Sequence, residues 1–126
     1  ALPIYIYDAV IVEGDEKLLR QVAINLVDNG VKYTPEGGKV WIEAEQGLDS
    51  VEFIVSDNGL GIANEHLDRI FERFYRVDKG RARHMGGTGL GLAITKHIVD
   101  KHKGSICAES RVGKGTKMRV TLKRMN

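Results

Sequence analysis

The chain has 126 residues, of which 42% are hydrophobic and 29% charged, with a formal net charge of +2; that is enough for one packed core and too little charge bias to argue for a nucleic-acid partner. No apolar run approaches the roughly 18 residues that would span a bilayer, and the opening ALPIYIYDAV has neither the basic start nor the small-residue cleavage site of a signal peptide. The single cysteine, Cys107, cannot form an internal disulfide; it falls in a predicted strand, where it is expected to be a small packed residue in a reducing compartment.

Residues from about Ile4 to Val12 are rich in β-branched and aromatic types interrupted by Asp8, so they form one bent strand or two short ones. Gly14 and Asp15 supply a turn and an N-cap, after which Leu18, Leu19, Val22, Ala23, Leu26 and Val27 recur at helical spacing until Pro35, Gly37 and Gly38 stop the helix. From Lys39 to Gln46, Val40, Ile42 and Ala44 alternate with Trp41, Glu43 and Glu45; Val51 to Val55 alternates likewise, and the polar link between them makes an antiparallel hairpin. A helix from about Asn64 to Phe71 leads into a segment crowded with Arg69, Arg73, Arg76, Lys79, Arg81 and Arg83. Another helix runs from about Leu90 to Lys103 and is stopped by Gly104; strands from about Ser105 to Ser110 and Thr116 to Lys123 then flank the turn residues RVGKG. This order implies an α/β (α+β) two-layer sandwich: a mixed, mostly antiparallel sheet of about five strands with about three helices on one face.

Several residues carry chemistry. Asn25, Asn29 and Lys32 share one stripe of the first helix, which faces either water or a ligand, and amide oxygens are acceptable hard ligands for Mg²⁺. Tyr33 is either a core aromatic or a platform beside a base. Asp57 ends an alternating run ahead of Gly59 and Gly61; DNGLG is either an ordinary strand-ending turn or a place where a carboxylate accepts from the adenine amino group and rejects guanine. GGTGLGLA supplies Gly86, Gly87, Gly89 and Gly91 directly before a helix, so that backbone and helix N-terminus can approach a phosphate. In FERFYR, Phe71, Phe74 and Tyr75 read as amphipathic packing, and the basic residues beyond them either line a solvated loop or neutralise a polyphosphate. A Rossmann fingerprint and a P-loop are both excluded: no G-x-G-x-x-G occurs, and neither Gly38-Lys39 nor Gly113-Lys114 is followed by Ser or Thr.

Taken together, NLVDNGVKYTP resembles the N box, DNGLGI the first glycine box, FERFYR the F box and GGTGLGL the second glycine box of sensor histidine kinases, whose catalytic domain has the Bergerat, or GHKL, ATP-binding fold; GKGT at Gly113 to Thr116 looks like the last glycine box. The resemblance covers the chain from about Glu13 onwards, and the F box is most like those of phosphate-sensing and cell-wall-sensing kinases. It implies that Asn25 and Asn29 contact Mg²⁺-ATP, with Asn29 the surer metal ligand, that Lys32 reaches the phosphates, that Tyr33 lies beside the adenine and Asp57 accepts its amine, and that Arg76 meets the terminal phosphate. Asn25, Lys32 and Arg76 are the expected catalytic residues. Gly59, Gly61, Ile62, Gly87, Thr88, Gly89, Leu90, Gly91, Leu92 and Thr116 are expected to complete the nucleotide site, with residues from about Arg76 to Gly86 closing as a flexible ATP lid. Gly30 departs from the family, which usually has alanine there, at a cost of about 1 kcal/mol in helix stability.

By the same resemblance, the chain is expected to be one catalytic ATP-binding domain of a larger kinase, monomeric by itself and the cytoplasmic part of a membrane-anchored bacterial sensor. The phosphoacceptor histidine belongs to a separate dimerisation domain, because His66, His84, His97 and His102 all lack the acidic residue and proline that follow it; a response regulator is the onward partner. His97 and His102 are expected at the surface. Alternatives keep the ATP fold and change the class: an ATP-operated clamp of the gyrase, mismatch-repair or heat-shock type, a nucleotide-regulated interaction module, or a serine kinase acting on anti-sigma-factor antagonists. The clamps carry a glutamate general base where this chain has Asn25, and an amide cannot take that proton.

Overall fold

The computed structural model describes residues 4–6, 14–75 and 91–123. Helix α1 spans Glu16–Lys32, and its start is set by Asp15, whose carboxylate accepts from the Leu18 N–H at 3.1 Å. Glu16 in the first turn and Lys32 in the last both complement the helix dipole. The helix ends at Tyr33, whose N–H donates to the Asn29 carbonyl, and Thr34 Oγ1 donates to the Gly30 carbonyl at 2.6 Å. One face of α1 buries Val22, Leu26 and Gly30.

Five strands make the sheet: β1 (Ile4–Ile6), β2 (Val40–Gln46), β3 (Ser50–Asp57), β4 (Ser105–Arg111) and β5 (Gly115–Lys123), in the spatial order β1-β2-β3-β5-β4. Only β1, three residues long, runs parallel to its neighbour β2; β2 with β3, β3 with β5 and β5 with β4 are antiparallel. The predicted mixed, mostly antiparallel sheet is therefore present, with its parallel member confined to the edge. Because side chains alternate along a strand, the register puts Val40, Ile42, Phe53, Val55, Met118 and Val120 on one face together with Ile106 and Ala108. Those side chains pack with Val22 and Leu26 of α1 and with Ile98 and Val99 of helix α3 (Gly91–Lys101). The other face carries Trp41, Glu43, Glu52 and Arg119, the last bridging Glu52 at 2.8 Å and Glu109 at 3.2 Å.

Three sequence expectations need correction. Cys107 is exposed rather than packed, because it lies on the face of β4 away from the helices, between Ser105 and Glu109. Helix α2 covers only Asn64–Leu67; beyond it Arg69, Glu72 and Tyr75 each donate to the carbonyl three residues back, giving linked turns where a helix to Phe71 was expected. Those turns still carry Ile70 and Phe71 onto the core, while Phe74 is 65% exposed with a positive φ of 64°, a conformation a bulky residue rarely adopts. His102 is half-buried rather than a surface residue. Its ring accepts from the Asp15 N–H at Nε2 (3.0 Å) and bonds the Ile98 carbonyl through Nδ1 (2.8 Å), which ties the end of α3 to the start of α1.

Candidate nucleotide site

Three pieces of chain meet at one end of the sheet: the C-terminus of α1, the loop after β3, and the turn joining β4 to β5. Backbone bonds pin them together, with Leu60 N–H donating to Tyr33 O at 3.1 Å and Gly113 N–H to Leu60 O at 2.8 Å. Asn58 clamps the loop from its other side, its Oδ1 accepting from Lys39 N–H at 2.7 Å. The glycines make this closeness possible. A Cβ on Gly59 would lie 2.3 Å from the Tyr33 carbonyl, and one on Gly61, which has φ +77°, would lie 2.0 Å from that of Arg111. Both predicted site glycines thus shape the loop by backbone packing.

Asp57 sits at the centre of this junction. Its Oδ1 accepts from Gly59 N–H at 2.9 Å and from Thr116 N–H at 3.3 Å, so two of the predicted site residues, Asp57 and Thr116, are in direct contact although 59 residues apart. Oδ2 has no hydrogen-bond donor among the described residues and points towards Gly30 of α1. The carboxylate is anchored by one oxygen and offers the other. Burial pushes its pKa above the ordinary carboxylate value, and the bonds from Gly59 and Thr116 partly oppose that rise.

A raised folded-state pKa means that ionised Asp57 opposes folding: stability falls as pH rises through the folded-state value and is fully present below the unfolded one. Asp57→Asn should therefore unfold at higher urea than wild type at neutral pH without nucleotide. That advantage should shrink as pH falls through the carboxylate range and vanish once both states of Asp57 are protonated, which urea titrations at stepped pH would measure.

Ser110 is a site residue that sequence reasoning missed. Its hydroxyl accepts from Ile62 N–H at 2.7 Å, donates to the Gly115 carbonyl at 2.8 Å and meets Thr116 Oγ1 at 2.8 Å, so it links the Asp57 loop to β5. Its inward position in the alternation of β4 was the available signal, but a serine there looks like any strand serine.

The other half of the stripe lies further back along α1. Asn25 Nδ2 reaches the Gly91 carbonyl at 3.4 Å and Thr95 Oγ1 at 3.3 Å, and its Oδ1 accepts from Gln21 at 2.7 Å. The predicted site residues Asn25 and Gly91 are thereby brought together where α3 begins, and Leu92 packs against the core. The Asn29 side chain is half-buried with no hydrogen-bond partner among the described residues, and Lys32 is exposed. The Asn29 amide oxygen is thus unengaged among the described residues, whereas that of Asn25 accepts one hydrogen bond, from Gln21, and keeps its second lone pair. No described atom lies within 4 Å of a Cβ placed on Gly91, in contrast to Gly59 and Gly61. Arg76, Gly87, Thr88, Gly89 and Leu90, with the lid expected from Arg76 to Gly86, lie outside the described residues.

Residues 14–126 match the family described as histidine kinase-, DNA gyrase B-, and HSP90-like ATPase. The chain belongs to this family. Within it, the domain is 46% identical over 113 residues to the sensor histidine kinase WalK of Bacillus subtilis (strain 168), an alignment covering 88% of this chain and 18% of WalK. It is 47% identical over 111 residues to the phosphate regulon sensor protein PhoR of Pseudomonas aeruginosa, covering 86% of this chain and 24% of PhoR. The chain thus spans about a fifth of the length of these curated relatives. Among solved structures, the catalytic domain of histidine kinase ThkA superposes with a TM-score of 0.82 at 32% identity, over 98% of this chain and 80% of that one. ShkA, solved full-length in complex with AMPPNP, gives 0.79 at 30% identity over 98% of this chain and 26% of that one. The ATPase-family domain is therefore an ATP-binding domain of the GHKL type, similar to the catalytic domains of sensor histidine kinases. Among the described residues, no helix is long and apolar enough to cross a membrane.

Proposed function

We propose that this domain is the catalytic part of a sensor histidine kinase, binding ATP between α1, the Asp57 loop and the start of α3 and transferring its γ-phosphoryl group to a histidine on a separate dimerisation domain. The observation that carries the reading is Asp57 itself: one carboxylate oxygen fixed by two backbone N–H groups, the other unengaged among the described residues and facing α1, as an acceptor for the adenine amine requires. Similarity to ShkA, solved in complex with AMPPNP, supports the same ligand class.

In this reading Tyr33 lines the adenine, Lys32 and Arg76 neutralise the phosphates, and the backbone from Gly87 to Leu92 receives them at the helix start. Asn29, with Asn25, would hold Mg²⁺, which would supply charge neutralisation at the phosphate oxygens. Asn25 argues for phosphoryl transfer over hydrolysis, since its amide is bonded to Gln21 and α3 and has no basic site for a water proton. The domain positions ATP and stabilises charge, and the acceptor histidine comes from outside. The parent protein is then a membrane-anchored bacterial sensor with this domain in the cytoplasm and a response regulator downstream. The domain alone is a monomer that binds ATP and ADP.

Thermal unfolding with ATP, GTP or neither, each with and without Mg²⁺, tests the binding step. At about 100-fold excess over Kd, a ligand of the folded state adds about 2.7 kcal/mol. A shift with ATP and not GTP, followed by ³²P transfer to a dimerisation domain added in trans, is the expected result; no shift with any nucleotide would overturn the reading.

A further inference from the structure

Pairing in register across β2, β3, β5 and β4 sets Val40, Asp57, Thr116 and Ser110 in one row on the helix-facing side of the sheet. The next row inward, Ile42, Val55, Met118 and Ala108, is wholly apolar. The row that ends the sheet at the candidate site therefore carries three polar side chains next to one another, and Thr116 stands between the other two. Its N–H donates to Asp57 Oδ1 at 3.3 Å on one side, and its hydroxyl meets Ser110 Oγ at 2.8 Å on the other. Thr116 is only 8% exposed, so its one hydroxyl proton is shared out among protein acceptors, with one on each flank.

The hydrogen-bonding capacity of Ser110 fixes the direction of that proton. A serine hydroxyl has one proton and two lone pairs. The Ile62 N–H can only donate, and it takes one lone pair at 2.7 Å; the Gly115 carbonyl can only accept, and it takes the Ser110 proton at 2.8 Å. The remaining contact, with Thr116 Oγ1, falls to the second lone pair, so the proton in it belongs to Thr116. We propose that Ser110 is a positioning residue for adenine recognition: it draws the Thr116 proton to its own side and so keeps the Asp57 carboxylate open for the base amine. The proposal rests on the reading that Asp57 accepts from that amine. Without the Ser110 hydroxyl, Thr116 turns its proton to the carboxylate on its other flank, and the adenine N–H then competes with an internal donor for the same group.

Two measurements test this: calorimetry with ATP, and carbon NMR titration of the Asp57 carboxyl without nucleotide. Ser110→Val should bind ATP about 10-fold more weakly than wild type, the scale of a contested hydrogen bond to a charged group. Its Asp57 should titrate at lower pH than in wild type, because the redirected donor favours the carboxylate. Ser110→Thr, which has the branched shape of valine and keeps the hydroxyl, should restore both. In a Thr116→Val background, Ser110→Val should change neither, since no Thr116 proton remains to be redirected. A purely structural role, acting through the lost bonds to Ile62 and Gly115, would weaken ATP binding equally in both backgrounds; that result overturns the proposal, as does an unmoved Asp57 titration in Ser110→Val. Wild type alone supplies a further test. Its Thr116 hydroxyl proton should show nuclear Overhauser contacts to the Ser110 β-protons, and contacts to the Asp57 β-protons in their place would overturn the proposal. Failure of wild type to bind ATP overturns the site reading and the proposal with it, whereas the other adverse results leave the site reading standing.

Discussion

Asp57→Asn is expected to abolish ATP binding while preserving the fold, with a loss of at least about 100-fold in affinity by calorimetry. The substitution is nearly isosteric, and the N–H groups of Gly59 and Thr116 dictate its orientation: they need an acceptor, so the amide oxygen takes the place of Oδ1 and the NH₂ that of Oδ2. A donor then faces the adenine amine, itself a donor. Asp57→Ala should also lose ATP, but it leaves both backbone donors unpaired at about 1–3 kcal/mol each and so mixes lost binding with lost stability. The asparagine variant separates the two, because its urea midpoint without nucleotide should equal or exceed that of wild type. Undiminished ATP affinity in Asp57→Asn would sink the adenine assignment.

Gly115→Ala carries the largest expected effect on stability. Gly115 opens β5 with φ +115°, and a Cβ there would lie 2.0 Å from the Asp57 carbonyl oxygen and 2.8 Å from Asn58 Cα. Both are backbone atoms of the central strand and its loop, which cannot swing aside as a side chain can. The strained φ and the forced separation should together cost about 3 kcal/mol or more, read as a lower urea midpoint. Moving β5 from β3 also withdraws the Thr116 N–H from Asp57, so ATP affinity should fall alongside stability. Gly113→Ala, two residues earlier, is the control: its φ is +81° but no described atom lies within 4 Å of the added Cβ, and it should cost only about 1–2 kcal/mol. Equal midpoints for the two variants would mean that strain at positive φ, and not the approach to Asp57, sets the requirement for glycine.

Much was legible because it depends on neighbours in sequence. The period of Val22, Leu26 and Val27, the cap at Asp15 and the alternation of Val40, Ile42 and Ala44 are local patterns, and local patterns specify α1 and β2 before any tertiary contact forms. The order of the boxes pointed to the family, since four spaced motifs rarely coincide. Cys107 was misread because alternation assigns residues to two faces without saying which face the helices will cover. The turns after α2 were misread for a related reason: Ile70 and Phe71 reach the core from linked turns as well as from a helix.

The sequence alone determined the two-layer fold, the ATPase family and the identity of Asp57 as a residue to watch, because these rest on periodicity and on motif order. Only the tertiary structure decided what Asp57 does with each oxygen. Its partners at Gly59 and Thr116, the neighbouring hydroxyl of Ser110 and Gly30, towards which its other oxygen points, come from four separate stretches of chain. No local pattern encodes which of them will meet, because strand register and the packing of α1 on the sheet set those distances.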